Sequence, residues 1–435
     1  MKLKLVALSL AGLIAGIGSA QAATEITFWH SMEGALGERV SELVQGFNKS
    51  QSDYVVNAVY KGAYGESMNA GIAAFRAGNA PDILQVFEVG TATMMHAKGA
   101  VKPVQQMAQE AGDPIDSKDF LGAVAGYYSS ADGQLVSMPF NSSTPVLYYN
   151  KDAFKKAGLD PENPPKTWKD VAEAGKKLRE AGMECGYTTG WPSWIQLETF
   201  AAWHNLPFAT QNNGFDGLNA QLSVDEPGFV KHFDFLAQMQ RDGSFTYGGR
   251  GDASNALFTS GKCGMFTGSS GSRANIMRTG EFEFGTTSLP YHDDIDGAPQ
   301  NTIIGGASLW VFADKSPETY KGVTKFFKYL SSPEMAAKWH QETGYVPVTK
   351  AGYEVTKESG FYDKNPGTDV AVRQLDADTT EHSRGVRLGF LPQIREAAEG
   401  EMERIFAGEV KAEEGMKRIA ERGNALLRRF ESSVK

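Results

Sequence analysis

The chain has 435 residues, 41% of them hydrophobic and 22% charged, which is enough for two or three lobes with cores of their own and too apolar for a disordered chain. Its 43 basic and 52 acidic side chains leave a formal net charge of −9. No cluster of Lys and Arg forms a basic face, which argues against nucleic acid or an anionic membrane surface as a partner.

The first residues read as a targeting segment. Lys2 and Lys4 precede an apolar run over 5–17, and Ala20-Gln21-Ala22 supplies a small-x-small cleavage site. The apolar run is shorter than the ~20 residues that a membrane span requires. A signal peptide over 1–22 is therefore expected, with a mature chain starting near Ala23 that does not insert into the membrane and lies in the periplasm or outside the cell.

Residues 26–29 read as a strand, and 34–47 as an amphipathic helix with Val40, Leu43, Val44 and Phe47 on one stripe. A second strand is expected over 54–59, a helix over 65–77 and a third strand over 83–87. This alternation is the mark of a parallel α/β sheet. Asn141-Ser-Ser-Thr-Pro145 reads as a hydroxyl-rich loop feeding a buried strand at 146–149. It is either an ordinary loop or a crossing between lobes able to hold an anion.

Thr167, with Asp170 three residues on, predicts a capped helix over 168–181. Trp191-Pro-Ser-Trp194 reads as a turn, with helices around 197–205 and 227–241 beyond it. A short strand is expected at 261–266, then the loop Gly268-Ser-Ser-Gly-Ser272 entering a helix. A strand over 303–312 carries Gly305-Gly306, which signals either a bulge or close approach by a ligand or another segment. Ser316-Pro317 and Ser332-Pro333 each read as an N-cap followed by proline at the first helical position. The tail is helical, with Met416, Ile419, Ala420, Leu427 and Phe430 on one face. Strands near 147, 263 and 307 are expected to build a second α/β lobe.

Cys185 and Cys263 are either bridged or two separate buried thiols. Neither belongs to a metal-binding spacing. Nucleotide-binding, zinc-protease and nucleophile-elbow motifs are absent. A periplasmic phosphate-ester hydrolase would need a metal cluster or a nucleophile–base pair, and the sequence presents neither. The seven histidines do not cluster along the chain. Arg250-Gly-Asp252 is too short to carry an adhesion function.

Longer blocks carry a resemblance. Phe28-Trp-His-Ser-Met-Glu-Gly34, Glu88-Val-Gly-Thr-Ala-Thr-Met-Met95, Asn141-Ser-Ser-Thr-Pro-Val-Leu-Tyr-Tyr-Asn-Lys-Asp152, Ile303-Ile-Gly-Gly-Ala-Ser-Leu-Trp310 and Pro392-Gln-Ile-Arg395 are among them. Through these blocks essentially the whole mature chain resembles the periplasmic sn-glycerol-3-phosphate-binding receptors of ABC importers. They are a branch of the extracellular solute-binding proteins related to maltose-binding protein. The resemblance implies an α/β fold of two lobes, each a mainly parallel sheet flanked by helices, hinged at crossing segments. One lobe would comprise 23–142 plus about 307–345, the other 143–306 plus about 346–435.

It also implies a monomeric, cofactor-free, non-enzymatic receptor in the Gram-negative periplasm that hands its ligand to an inner-membrane permease. The ligand would be glycerol 3-phosphate, with a glycerophosphodiester such as glycerophosphocholine, or an oligosaccharide, as alternatives. By the same resemblance Tyr64 contacts the ligand, Glu88 accepts bonds from the glycerol hydroxyls, and Trp191 and Trp194 wall its carbons. Ser143, Ser269, the backbone of Gly306, Tyr345 and Arg395 surround the phosphate. Charge segregation is expected, with phosphate toward Arg395 and polyol toward Glu88. Ser143, at the crossing, is expected to matter for closure as well as affinity.

Overall fold

The computed structural model describes residues 22–375 and 379–435, so the expected leader lies outside them except for Ala22. Among the described residues nine strands form two sheets. They are β1 (Thr24–His30), β2 (Tyr54–Tyr60), β3 (Ile83–Phe87), β4 (Met138–Ser143), β5 (Pro145–Asn150), β6 (Cys185–Thr189), β7 (Cys263–Ser269), β8 (Phe284–Thr287) and β9 (Gly305–Val311).

The first sheet has the order β2-β1-β3-β9-β4 and the second β6-β7-β5-β8. Both are mixed rather than mainly parallel. β1 pairs in parallel with β2 and β3, but β9 runs antiparallel between β3 and β4. In the second sheet only β6 and β7 are parallel. The strand near 307, which the strand pattern put in the second lobe and the resemblance in the first, is thus the fourth strand of the first sheet. It enters by returning across the gap between the sheets, and a returning strand has no crossover helix to keep it parallel.

The helices follow the apolar periodicity. Gly34–Ser50 buries Val40, Leu43, Val44 and Phe47, and packs against β2 and helix Pro317–Leu330. Thr167 caps Trp168–Glu180, with Asp170 bonding back to close a capping box worth about 1 kcal/mol. The last two helices, Leu391–Phe406 and Ala412–Val434, pack on each other and on Pro227–Asp242, beside the second sheet. Cys185 and Cys263 are direct partners in the β6–β7 ladder, with Cα atoms 4.6 Å apart, and they form a disulfide.

Asn141-Ser-Ser143, read from sequence as loop, is the end of β4. Its small side chains suit a buried strand because they pack flat against the glycines of β9: Ser143 pairs with Gly305 and Ser142 with Gly306. Only Thr144 separates β4 in one sheet from β5 in the other. Three crossing segments are tied together here. Thr144 Oγ1 lies 2.5 Å from Thr302 Oγ1 and 3.1 Å from the Ile303 carbonyl oxygen. Gln374 donates from Nε2 to the Pro145 carbonyl and accepts from the Leu289 N–H, while its own carbonyl accepts from Thr302.

Candidate functional site

The space between the sheets is bounded by the ends of β3, β4, β7 and β9 and by helix Leu391–Phe406. At its centre is a buried triad. Arg395 donates from Nε and Nη2 to the two oxygens of Glu198, at 2.6 and 2.8 Å, and from Nη2 to Glu88 Oε1 at 2.6 Å. The side chains of Arg395, Glu88 and Glu198 are 9%, 8% and 3% exposed, so these charges interact with little screening. Glu88 begins a single turn after β3 and belongs to the first sheet's side, whereas Glu198 and Arg395 lie on helices of the second.

In this arrangement the two groups expected at opposite ends of the ligand are in contact. Arg395 and Glu88 are bonded partners, not opposite poles. A guanidinium that has lost its water is stable only among carboxylates, and here it has two. Burial acts against the charge of Arg395, but Glu198 and Glu88 outweigh it and hold its pKa above the ordinary arginine range. Burial likewise pushes the Glu88 carboxyl up, Arg395 pulls it down and Glu198 adds to the rise. Arg395 Nη1 makes no hydrogen bond within the described residues, so both its N–H groups are free for a ligand.

Glu198 was not legible as a site residue. It sits on a π-helical stretch, Trp194–Thr199, which also presents Trp194. One signal was available: a carboxylate inside the apolar run Trp194-Ile-Gln-Leu-Glu-Thr-Phe-Ala-Ala-Trp203 has to find a cation. Tyr127 was also missed; its hydroxyl lies 3.1 Å from the Glu88 carbonyl and 2.6 Å from that of Val386, bridging the two sides.

The aromatic residues form walls. Tyr64 stacks on Phe87 with centroids 5.3 Å apart and lies 6.5 Å from Trp191, which reaches it from the opposite side. Asn141 Nδ2 donates to the Tyr64 hydroxyl at 2.8 Å, and the Tyr345 hydroxyl adjoins the same pair. Tyr345 stacks on Trp339 with an interplanar angle of 7°. Burial raises the pKa of both Tyr64 and Tyr345, the latter to about 12, so each hydroxyl keeps its proton.

Trp191 has φ +44°, a left-handed conformation that costs a bulky residue of order 1–3 kcal/mol. It is held there by its N–H bonding to the Gly251 carbonyl at 2.6 Å. The Trp191–Trp194 segment, expected as a turn, instead starts a helix at Pro192, because proline is suited to the first helical position.

Both glycines of β9 are required by close approach. A β-carbon at Gly305 would stand 2.2 Å from the Trp194 ring. At Gly306, where φ is +85°, it would stand 1.9 Å from the Asn141 carbonyl oxygen. Here the two sequence readings coexist, since the β4–β9 register also shifts between Pro139 and Asn141.

Ser143 is 2% exposed and follows directly on this contact. Ser269 Oγ accepts from the Gly271 N–H at 3.1 Å, which leaves its own proton free to donate. Ser143 and Ser269 thus flank the Thr144 crossing, and the Ser270 N–H bonds to the Thr144 carbonyl at 2.9 Å. The hydroxyl of Ser270 and the indole N–H of Trp194 are buried without a partner among the described residues. Each therefore awaits an acceptor. Among the described residues no three metal-binding side chains are placed to hold a metal ion, and no helix is long and apolar enough to cross a membrane.

The family model described as bacterial extracellular solute-binding protein matches residues 42–368. The sn-glycerol-3-phosphate-binding periplasmic protein UgpB of Salmonella paratyphi A is 55% identical, with all of both chains covered. Its namesake from Escherichia coli K12 is 55% identical over 97% of each chain. Among solved structures, UgpB from Mycobacterium tuberculosis in complex with glycerophosphocholine superimposes with TM-score 0.79 at 24% identity, covering 94% of this chain and 99% of that one. Maltose-bound MalE3 from T. maritima gives 0.74 at 17% identity, covering 92% and 99%. These two likenesses give the fold: two α/β lobes of the maltose-binding-protein kind. By the family model and its full-length relatives, the chain belongs to the bacterial extracellular solute-binding proteins, which are receptors and not enzymes.

Proposed function

We propose that the protein is the periplasmic receptor of an ABC importer for sn-glycerol 3-phosphate, capturing it between the lobes and delivering it to the membrane permease. The observation that carries this reading is Arg395: two carboxylates fix its guanidinium through Nε and Nη2, and Nη1 is left for a ligand. A fixed guanidinium edge suits phosphate oxygens, and the hydroxyls of Ser143, Ser269 and Ser270 with the backbone of Gly306 are neutral donors that suit the rest of a small dianion. Glu88 has an oxygen not used by Arg395, which suits the glycerol hydroxyls. Tyr64, Trp191, Trp194 and Tyr345 form the walls. The full-length relatives named for sn-glycerol 3-phosphate support the same ligand.

In this reading Ser143 couples binding to closure, because it adjoins the single residue that separates β4 in one sheet from β5 in the other. A phosphate held there stabilises the closed arrangement over the open one by its differential affinity. Titration calorimetry with glycerol 3-phosphate, inorganic phosphate, glycerol and maltose tests the proposal. Glycerol 3-phosphate is expected to bind tightest, inorganic phosphate and glycerol far more weakly, and maltose not at all. Preference for maltose, or no response to glycerol 3-phosphate, would overturn it.

A further inference from the structure

The triplet Arg250-Gly251-Asp252 is divided by the fold. Arg250 turns away from the cleft and pairs with Glu403 through two bonds of 2.8 and 2.6 Å. Asp252 turns the other way. Its neighbour Gly251 accepts the Trp191 N–H, and a β-carbon on Gly251 would lie 4.0 Å from the Trp191 ring. One oxygen of Asp252 would stand 3.5 Å from a β-carbon on Gly190, immediately before that tryptophan. The carboxylate also lies within electrostatic reach of the Tyr345 hydroxyl and, from the other lobe, of Glu33.

No cation pairs with Asp252 among the described residues. Its side-chain bond comes from Asn255 Nδ2, at 3.2 Å. Glu33 is engaged by the Tyr60 hydroxyl, at 3.0 Å. Lys61, next to Tyr60 in the chain, lies over the Trp29 ring, at 4.0 Å. Asp252 is exposed to solvent, yet surrounding protein desolvates it enough to push its carboxyl up to about 6, with Glu33 adding to the rise and Asn255 opposing it. A carboxylate that is accessible, without a cationic partner and next to a tryptophan has the composition that recognises an ammonium group.

We infer that Asp252, with Trp191 beside it, is a specificity-determining contact for the cationic head group of a glycerol phosphodiester. This rests on the glycerol phosphate reading of the cleft and extends it. A phosphate at Arg395 would leave its esterifying group to be placed by this rim. An amino-alcohol ester would gain from Asp252, while a neutral ester or the free monoester dianion would not.

The test compares wild type with Asp252→Asn, which keeps the shape and the polar contact to Asn255. Calorimetry would use glycerol 3-phosphate, glycerophosphocholine, glycerophosphoethanolamine and glycerophosphoglycerol, whose head group is neutral. The expected result is a loss of about two- to fivefold for the choline and ethanolamine esters, the range for an accessible cation site. Glycerol 3-phosphate and glycerophosphoglycerol should change by less than about twofold or tighten, which also establishes that the variant is folded. If all four ligands change by the same factor, or none changes, the role given to Asp252 is overturned while the receptor reading stands. Wild-type protein that binds none of the four overturns both.

Discussion

Replacing Arg395 by Met removes the one cation of a triad whose two carboxylates are 8% and 3% exposed. Methionine is long and adaptable enough to fill most of the vacated volume, so the dominant effect is electrostatic. Two buried carboxylates then face each other uncompensated, and breaking a buried ion pair from one side costs about 3–5 kcal/mol. At the usual unfolding entropy per residue, this is roughly 4–6 °C in Tm for a cooperative unit of this size.

The loss is expected to depend on pH, and its sign is fixed. Without Arg395 the carboxyl of Glu88, which burial already raises, moves further up, so its folded pKa exceeds its unfolded value of about 4.3. Such a group contributes stability that is present below the unfolded value and lost as pH rises through the folded one. The deficit relative to wild type should therefore be small at pH 5 and full at pH 8. Urea unfolding without ligand at both pH values measures it. A deficit under about 1 kcal/mol at pH 8, or an equal deficit at both, would refute the triad as the lobes' shared electrostatic element.

Other regions give further expectations. Burial lowers the pKa of His204 to about 3 and of His292 to about 4, and it holds His232 well below its ordinary value. These groups contribute stability above the unfolded value near 6.5 that is lost as pH falls toward 4; His292→Asn should flatten that slope in urea melts, and an unchanged slope would count against it. Native protein should show no free thiol in a thiol titration, and reduction of Cys185–Cys263 should cost about 4.5 kcal/mol for a sequence separation of 78 residues. Gly306→Ala should lose 1–3 kcal/mol or more, seen in thermal melts, because its left-handed backbone and the Asn141 carbonyl leave no room for a methyl group. Full stability in that variant would show that β4 and β9 are not so closely apposed.

What the sequence revealed follows physical range. Helix Gly34–Ser50 was legible down to its four buried residues, and the Thr167–Asp170 cap was legible too, because both are set by neighbours within one or two turns. The positions of Ser143, Ser269 and Gly306 were reached through family resemblance, and the fold places all three around one crossing. The antiparallel entry of β9 was not legible, because a buried apolar strand has the same pattern in either direction. The polar strand Asn141–Ser143 was misread because its fitness depends on glycines more than 150 residues away. The pairing of Arg395 with Glu88 and Glu198 spans 307 and 197 residues, and no local spacing encodes it. Opposite charges were therefore expected at opposite ends of a ligand, when desolvation brings them together.

The most direct test of the receptor reading is a crystal structure of the protein grown with sn-glycerol 3-phosphate. The expected result is a phosphate oxygen within hydrogen-bond distance, about 2.7–3.2 Å, of Arg395 Nη1. The serine hydroxyls beside Thr144 should surround the phosphate, and the glycerol should lie between Tyr64 and the two tryptophans. A phosphate bound away from Arg395, or a ligand that leaves Nη1 unengaged, would contradict it.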